Sequence, residues 1–285
     1  MKDNQYKNID EKVVADFGRE WKHFNHKHLD DSVLDQSFRD YFDIFPIEKL
    51  SGSEGFDMGC GSGRWAKYIV PKVNFLHCID PSKEALDQAK SNLTNFKNCD
   101  FECSSVDTSI LPDNSQDFGY SLGVLHHIPD TKEALRSCSV KLKSGAPFLL
   151  YLYYRFDNKP KWFRFVWKLS NYFRIYISNR PAKTRFFLSQ LVAIFIYWPL
   201  TRISKLIEKI GFGVENFPLS YYRKYSFYSM RTDALDRFGT RLEHRFTKDE
   251  VKAMMIDAGL IDIIFSDSTP YWCAVGYRSH SEQLI

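Results

Sequence analysis

A glycine-rich turn that follows a short apolar run is the feature that most constrains the fold of this chain. Residues 56–63 read FDMGCGSG, and an amphipathic segment begins at Arg64. Glycine at alternate positions lets the backbone take positive φ and lets a ligand approach it closely. A helix starting at Arg64 would also offer free N–H groups to a carboxylate or phosphate. Dinucleotide-binding folds use a similar loop, and an ordinary turn does too, so the turn alone leaves both interpretations open.

The sequence around this turn alternates between strand and helix patterns. Strands are predicted over 54–57, 74–80, 100–104, 116–123 and 146–154, and helices over 82–93 and 131–142. Repeated βα units of this length predict a doubly wound, mainly parallel sheet with helices on both faces. Ligands bind such sheets beyond the carboxyl ends of the strands, where polar residues follow four of the five runs. These residues are Asp57, Asp80, Asp107, His126 and His127.

The order of the short motifs resembles that of class I S-adenosylmethionine-dependent methyltransferases of the methyltransferase type 11 kind. The motifs are DMGCGSG at 57–63, DPS at 80–82, VD at 106–107, LGVLHH at 122–127 and LKSG at 142–145. They cover about residues 54–154, and the helix start at 246–251 with strands at 261–265 and 272–277 matches the closing elements of the family. The resemblance implies an α/β, Rossmann-like doubly wound sheet of seven strands. Its last strand is antiparallel, and a helical insertion follows the fifth strand.

The resemblance also implies the cofactor, S-adenosyl-L-methionine, and the residues that hold it. The methionine end is expected at the glycine turn near Asp57, the ribose hydroxyls on Asp80 and the adenine amine on Asp107. One carboxylate can accept from two vicinal hydroxyls, which suits Asp80, although an ordinary turn residue at the end of a strand is the alternative. The full set of cofactor residues implied is Asp57, Gly59, Cys60, Gly61, Gly63, Asp80, Pro81, Ser82, Val106, Asp107 and Leu122.

Two histidines are the candidate catalytic residues. An oxygen acceptor benefits from a general base, and His126 or His127 stands at the end of a strand with an ordinary pKa near 6.5. The alternative is that both rings pack beside the cofactor without transferring a proton. The six cysteines form no CxxC pair and no cluster at metal-ligand spacing, so reduced buried thiols are predicted and no metal site.

An amphipathic helix is predicted over 13–24, with Phe17 and Trp21 on its apolar face. This helix either caps the core or closes over the glycine turn as a lid. The first dozen residues are polar and contain no apolar signal segment, which predicts a cytoplasmic protein. The predicted divisions are an N-terminal helical lid (1–50), a cofactor-binding core (51–154), an insertion (155–245) and a closing helix with a β-hairpin (246–285).

The insertion is basic and aromatic, although the whole chain has a net charge of only +4. Residues 155–209 contain twelve Lys or Arg against Asp157 and Glu208. Three interpretations remain open: a helical lid packed on the core, peripheral contact with an anionic membrane, and nucleic-acid binding, which is the least favoured. The apolar run 186–200 extends about 22 Å as a helix, which is too short to cross a bilayer.

A Tyr- and Arg-rich segment, 221–241, lies at the end of the insertion and suits a polar substrate, an internal salt-bridge network or a subunit contact equally well. The residues predicted to contact the substrate are Tyr153, Tyr154, Arg223, Tyr228 and Arg231. The predicted reaction is methyl transfer to a hydroxyl or carbon of a small-molecule, saccharide or lipid-like acceptor. The alternatives are a nicotinamide-dependent Rossmann oxidoreductase and a non-catalytic membrane adaptor that keeps the methyltransferase fold. The spacing GxGxG, instead of GxGxxG, disfavours the oxidoreductase.

Overall fold

The computed structural model describes residues 8–23 and 31–280 of the 285-residue chain. It divides into two compact units. The first unit comprises residues 1–155 and 242–285, and the second unit comprises residues 156–241. The second unit is thus inserted between the fifth strand and the last helix of the first.

The first unit is built on a seven-stranded sheet. The strands are β1 (Glu54–Met58), β2 (Phe75–Ile79), β3 (Cys99–Glu102), β4 (Phe118–Leu122), β5 (Pro147–Tyr151), β6 (Leu260–Phe265) and β7 (Ala274–Arg278). Their spatial order is β3-β2-β1-β4-β5-β7-β6. The first five strands pair in parallel, whereas β7 is antiparallel to β5 and to β6. The predicted fold class is therefore confirmed, including the antiparallel last strand and the helical insertion after β5.

Within residues 8–23, 31–155 and 242–280, the first unit contains six α-helices. They are α1 (Glu11–His23), α2 (Asp31–Phe42), α3 (Ala66–Ile69), α4 (Lys83–Asn92), α5 (Thr131–Ser139) and, after the insertion, α10 (Lys248–Asp257). Polar side chains fix where several of them begin: Ser82 and Asp130 cap α4 and α5, and Thr247 and Glu250 form a capping box on α10. Apolar side chains on the two faces of the sheet form two buried clusters.

The helix after the glycine turn is shorter than predicted. The chain makes turns from 61 to 65, and α3 begins at Ala66 and ends at Ile69. Pro71 lacks an N–H and continues the chain as a short 3-10 segment, which explains why α3 is a single turn. Residue 24 of the predicted N-terminal helix lies outside the described residues, as does the side chain of Trp21.

Helices are the only regular secondary structure in the described residues of the second unit, and loops and turns join them. It contains α6 (Lys161–Ser178), α7 (Ala182–Val192), α8 (Trp198–Lys209) and α9 (Phe227–Gly239). A π-helical stretch, Ala193–Tyr197, joins α7 to α8, so helical backbone runs unbroken over Ala182–Lys209. A small buried cluster around Ala193, Tyr197 and Ala234 holds these helices together.

Candidate functional site

The carboxyl ends of β1, β2 and β4 meet at one edge of the sheet of the first unit. Asp57 of β1 pairs in register with Cys78 of β2 and with Tyr120 of β4. Because the three strands are parallel and adjacent, the loops that follow them are neighbours. Of the acids and histidines predicted to line a ligand site, Asp57 lies near the end of β1, Asp80 follows β2 and the two histidines follow β4. Asp107 follows β3, the neighbour of β2 at the edge of the sheet.

The glycine turn is tightly folded against the structure around it. Gly59 and Gly63 have φ of 81° and 75°, which is the region that favours glycine. A Cβ on Gly59 would lie 2.4 Å from the Val124 side chain, so a larger residue would clash there. The backbone N–H groups of Gly59 and Cys60 donate to the carbonyl of Ile79, at 2.7 and 3.0 Å. These two backbone donors are therefore occupied within the protein.

Asp80 joins this turn to the loop after β2. One carboxylate oxygen accepts from the backbone N–H of Gly61 and the other from that of Ser82, both at 2.9 Å. Burial raises the pKa of Asp80 to about 6, against the opposing effect of these two hydrogen bonds. Each carboxylate oxygen has a second lone-pair direction, so the group can still accept from ligand hydroxyls.

Asp57 is a buried carboxyl at the end of β1, only 2% exposed. Burial raises its pKa to about 8, opposed by the nearby Tyr120 hydroxyl and the Arg64 guanidinium, while the charge of Asp80 raises it further. Its Oδ2 atom is buried and has no hydrogen bond of good geometry to the described residues. A buried acceptor without a partner is costly, so a donor brought by a ligand would satisfy it.

Asp107, predicted to bind an adenine amine, is exposed and accepts two hydrogen bonds. Ser105 donates from Oγ at 2.5 Å and Asn8 from its backbone N–H at 3.2 Å. The Asn8 side chain also exchanges two hydrogen bonds with the backbone of Asp130, at 2.7 and 2.8 Å. Asn8 thus ties the N-terminal segment to the loops after β3 and β4. Val106 is buried beside Asp107.

The N-terminal helix α1 contacts the same edge. The ring of Phe17 lies 5.0 Å from that of His127, and a Cβ on Gly18 would lie 2.9 Å from Ser82 Oγ. Both partners belong to loops at the carboxyl edge. These contacts support the lid interpretation of α1, which stays a prediction.

The two histidines follow β4 in a short 3-10 turn, Leu125–His127, and their environments differ. His126 is fully buried, and neither of its ring nitrogens has a hydrogen bond to the described residues. Burial lowers the pKa of His126 well below its ordinary value, and the charges of His127, Arg245 and His244 lower it further. Its ring lies 3.9 Å from that of Tyr153. His126 is therefore a neutral ring enclosed by protein.

His127 has one ring nitrogen held by the backbone. Its Nδ1 lies 2.7 Å from the carbonyl oxygen of Leu242. A carbonyl can only accept, so Nδ1 carries the hydrogen and the lone pair of the neutral ring is on Nε2. His127 is 6% exposed, compared with 0% for His126. Of the two candidate bases, His127 thus has the defined tautomer and the less deeply buried ring.

A buried ion pair that the sequence did not predict lies beside the histidines. Arg245 Nε donates to Glu243 at 2.7 Å, and both side chains are nearly buried, at 10% and 3% exposed. The guanidinium lies over the ring of Tyr153, 5.0 Å from its centre. Backbone hydrogen bonds hold residues 243–246 beside the histidines. His244 N donates to His126 O, and Phe246 N donates to Tyr153 O. The basic and acidic residues just before the closing helix were the only signal in the sequence.

The predicted substrate residues fall in both units. Tyr153 lies among the histidines, and Tyr154 pairs with Phe246 next to it. Within the second unit, Arg223 makes a two-pronged ion pair with Glu208, at 2.9 and 2.7 Å. Arg231, in the same helix α9 as Tyr228, donates to Gln190 Oε1 at 2.5 Å. These contacts correspond to the internal-network alternative, and a substrate role for the three residues stays a prediction.

The thiols are free and mostly buried, and in the described part of the chain no group of three or more His, Cys, Asp or Glu could hold a metal ion.

Comparison with known proteins identifies the core. Residues 56–150 match the family model described as a methyltransferase domain. The ubiquinone biosynthesis O-methyltransferase of Coxiella burnetii is 25% identical over 130 residues, which are 39% of this chain and 55% of that protein. That of Chromobacterium violaceum is 26% identical over 148 residues, which are 48% of this chain and 61% of that protein. The chain thus spans little more than half the length of these curated relatives.

A solved structure covers more of the chain. The S-adenosylmethionine-dependent methyltransferase of Thermotoga maritima, described as a possible histamine N-methyltransferase, aligns with 95% of this chain and 100% of its own. The TM-score is 0.51 and the identity is 13%, so the similarity concerns the fold alone. The family match, together with an antiparallel β7 that the Rossmann dehydrogenase order 3-2-1-4-5-6 lacks, decides against the oxidoreductase alternative.

Proposed function

Because residues 56–150 form a methyltransferase domain of the class I S-adenosylmethionine-dependent family, we propose that this protein transfers a methyl group to an oxygen atom of a small acceptor. The observation that carries the choice of oxygen is His127, whose tautomer is set by the Leu242 carbonyl. The curated relatives named as O-methyltransferases support the same choice.

The residues at the carboxyl edge fit S-adenosylmethionine. When bound, this cofactor supplies an electrophilic methyl group on a positively charged sulfur. Asp57 has a buried oxygen without a partner among the described residues, which suits the ligand ammonium. Asp80 has remaining acceptor capacity for the ribose hydroxyls.

His127 is the group that would take the proton from the acceptor. Nε2 would accept the proton of the acceptor hydroxyl, and the ring would become an imidazolium. The Leu242 carbonyl then continues to accept from Nδ1 and stabilises the charged ring. His126 supports the arrangement differently, because its enclosed ring packs between His127 and Tyr153 with centroid distances of 4.0 and 3.9 Å.

The remaining contribution is positional. Holding the acceptor and the bound cofactor together in a reactive geometry would lower the barrier substantially. Tyr153 and the Arg245–Glu243 pair lie next to the histidines and provide an aromatic surface and a cation beside it. They suit a ring-bearing or anionic acceptor.

The test is transfer of a labelled methyl group. Purified protein is incubated with labelled S-adenosylmethionine and fractionated cell extract, and the labelled product is separated into polar and lipid phases and analysed for its methylated atom. An O-methyl product supports the proposal. Label on nitrogen or carbon contradicts the oxygen assignment, and binding of S-adenosylhomocysteine without transfer to any fraction favours the non-catalytic alternative.

With the acceptor found in this way, the His127→Ala variant should lose turnover by about 10²–10⁴-fold while binding S-adenosylhomocysteine normally. The matched control is His77→Ala, because His77 lies on β2 and pairs with Glu54 and Asp100, each at 2.9 Å. Full activity of the His127 variant would remove the base from the mechanism and leave positioning alone.

A further inference from the structure

The unbroken helical segment Ala182–Lys209 of the second unit buries its polar and small side chains. The buried positions recur every three or four residues and so form one face. They are Arg185, Ser189, Ala193, Tyr197, Thr201 and Ser204. A helix of a water-soluble core has the opposite arrangement, with its apolar stripe inside.

The outer face of the same segment is apolar. Phe195 is 71% exposed, Leu206 61% and Phe187 60%, and Ile194, Ile196, Trp198 and Ile203 are also exposed. Exposed large apolar side chains are ordinary when scattered singly, whereas a contiguous face of them marks an interaction surface.

Helix α6 repeats this arrangement. Five of its eight exposed large side chains lie three or four residues apart and form one stripe: Trp162, Phe165, Leu169, Phe173 and Tyr176. Its buried residues include Arg174 and Ser178, at 7% and 2% exposed. Two helices of one unit thus present aromatic and aliphatic side chains outward and polar ones inward.

The inward polar groups are satisfied within the unit. Arg174 donates to the carbonyl of Thr240 and Arg185 to that of Gly239, at 3.1 and 2.7 Å, where α9 ends. The hydroxyls of Ser189, Thr201 and Ser204 donate to the carbonyl three residues earlier in their own helix. Small and hydroxyl-bearing residues between helices, with apolar residues outside, are typical of helices that pack in lipid.

Exposed basic residues accompany the apolar stripes. They are Lys161 and Lys168 on α6, Lys183 at the start of α7, and Arg202, Lys205 and Lys209 on α8. The second unit has 16 Lys or Arg against five Asp or Glu, a net charge of +11. Basic residues beside Trp and Phe are the composition of segments that lie at the surface of an anionic bilayer.

The length of the apolar stretch decides how deep such a segment lies. The segment Ala182–Lys209 is long and apolar enough to cross a membrane by length and composition. Its uncharged part, between Arg185 and Arg202, has 16 residues and extends about 24 Å, less than the hydrocarbon thickness of about 30 Å. Helix α6 carries Lys161 and Lys168 beside its apolar stripe. Both helices therefore fit one leaflet better than the full bilayer.

We propose that the outer face of the second unit, formed by the exposed apolar side chains of α6 and of Ala182–Lys209, inserts into one leaflet of an anionic membrane. The aromatic and aliphatic side chains enter the boundary between headgroups and acyl chains. The lysines and arginines bind the lipid phosphates and carboxylates. This surface is independent of the cofactor residues, which all belong to the first unit.

Flotation of the full chain with lipid vesicles tests the proposal. The protein should bind vesicles that contain phosphatidylserine at low salt, bind pure phosphatidylcholine more weakly, and lose part of its binding at high salt as the charges are screened. Lys161→Gln with Lys168→Gln should weaken binding to the anionic vesicles about thirtyfold. Phe165→Ser and Phe195→Ser should each weaken binding to both kinds of vesicle at least about tenfold.

Matched controls lie on the first unit. Lys49→Gln with Lys72→Gln removes two exposed lysines, and Ile110→Ser removes a side chain that is 83% exposed. None of these control variants should change vesicle binding. Neither they nor the four substitutions in the second unit should change the affinity for S-adenosylhomocysteine.

Three results would overturn the proposal. One is absence of vesicle binding at low salt. Another is self-association of the protein through this face, which would be the case if the Phe195→Ser variant were monomeric and if added vesicles did not dissociate the wild-type oligomer. The third is protein that remains in the membrane fraction after an alkaline carbonate wash, which would indicate a spanning helix instead of a surface-bound one.

Discussion

Nineteen of the 22 large hydrophobic side chains that are exposed in the described part of the chain belong to the second unit, which makes up less than a third of the sequence. The charges divide in the same way, since the second unit has a net charge of +11 and the remainder of the chain −7. One polypeptide therefore contains a unit with an apolar core and an acidic surface, and another with polar helix contacts and a basic, apolar surface.

This difference indicates that the two units are adapted to different surroundings. In the first unit, side chains such as Phe56, Phe118 and Phe148 are fully buried on the two faces of the sheet, as water requires. In the second unit, removing the polar groups of the buried arginines and serines from water is not favourable in itself. Removing the exposed phenylalanine rings from water would lower the free energy. The comparison predicts that equivalent substitutions have opposite consequences in the two units.

The largest effect is expected from a matched pair of phenylalanine substitutions. Phe148→Ala empties a fully buried position on β5 and should lower the free energy of unfolding by about 3–5 kcal/mol. Phe195→Ala removes a ring that is 71% exposed and should change it by no more than about 0.5 kcal/mol. Denaturant titration in the absence of lipid measures both.

A second pair serves as the control for this measurement. Leu149→Ala is also a fully buried site of the first unit, and Phe165→Ala is a 68% exposed site of the second. If the two exposed phenylalanines destabilised the protein as strongly as the buried residues, their face would be packed against protein in solution, and the contrast between the units would be lost.

Much of the first unit could be predicted from sequence because its signals are local. A buried parallel strand is a short apolar run, and the acid that follows it marks the carboxyl edge, so the predicted strand over 74–80 corresponds to β2 at Phe75–Ile79. An acid at the end of an apolar run also predicted that Asp57 and Asp80 lie at the ends of neighbouring strands. The start of α3 differs from the predicted Arg64, because the chain makes turns from 61 to 65 before the helix begins at Ala66.

Residues that complete the site from far away in the chain could not be predicted in this way. Asn8 bonds to Asp130 across 122 positions, and Arg245 reaches the Tyr154 carbonyl across 91. The partners of Arg245 depend on the backbone pairing at the end of the chain, and those of Asn8 depend on the path of the N-terminal segment. Neither feature produces a periodic pattern in the sequence. In the second unit the basic and aromatic composition was evident, but which helix face is buried depends on where α9 packs.

A smaller effect, on binding alone, is expected at Asp80. Its carboxylate would accept from the ribose hydroxyls, so Asp80→Asn should weaken S-adenosylhomocysteine binding by about 1.5–3 kcal/mol, or roughly tenfold or more. Calorimetry on the variant measures this. The matched change in the second unit, Arg185→Met, removes a buried arginine that donates to Gly239, and it should lower stability by a similar amount without changing affinity.

The pKa of Asp80 predicts how this affinity depends on pH. Burial raises that pKa to about 6 in the ligand-free protein, so the carboxylate is mostly ionised at pH 7 and becomes protonated as the pH falls through 6. A protonated carboxyl is a weaker acceptor, so affinity should decrease on the acid side of about pH 6. The Asp80→Asn variant should not have this step, and a wild-type affinity that stays constant down to pH 5 would mean that Asp80 does not hold the ribose.

The smallest effect is the number of protons that Asp57 releases when the ligand binds. This number distinguishes a buried carboxyl that contacts the ligand from one that only packs inside the protein. Burial raises the pKa of Asp57 to about 8, so the carboxyl is mostly protonated at pH 7 in the ligand-free protein. An ammonium group bound beside it favours the ionised form, so cofactor binding should release close to one proton from this residue.

Calorimetry of S-adenosylhomocysteine binding in buffers with different ionisation enthalpies measures that release. The ligand amine titrates near pH 7.7–8.0 and takes up a small fraction of a proton at pH 7, so the decisive quantity is the difference between wild type and Asp57→Asn. The variant should lose the release at pH 7, and in the wild type the release should fade above about pH 9, where the free protein is already ionised. Equal proton release from both proteins at pH 7 would show that Asp57 does not contact the ammonium, and its buried oxygen would then be as structural as the buried arginines of the second unit.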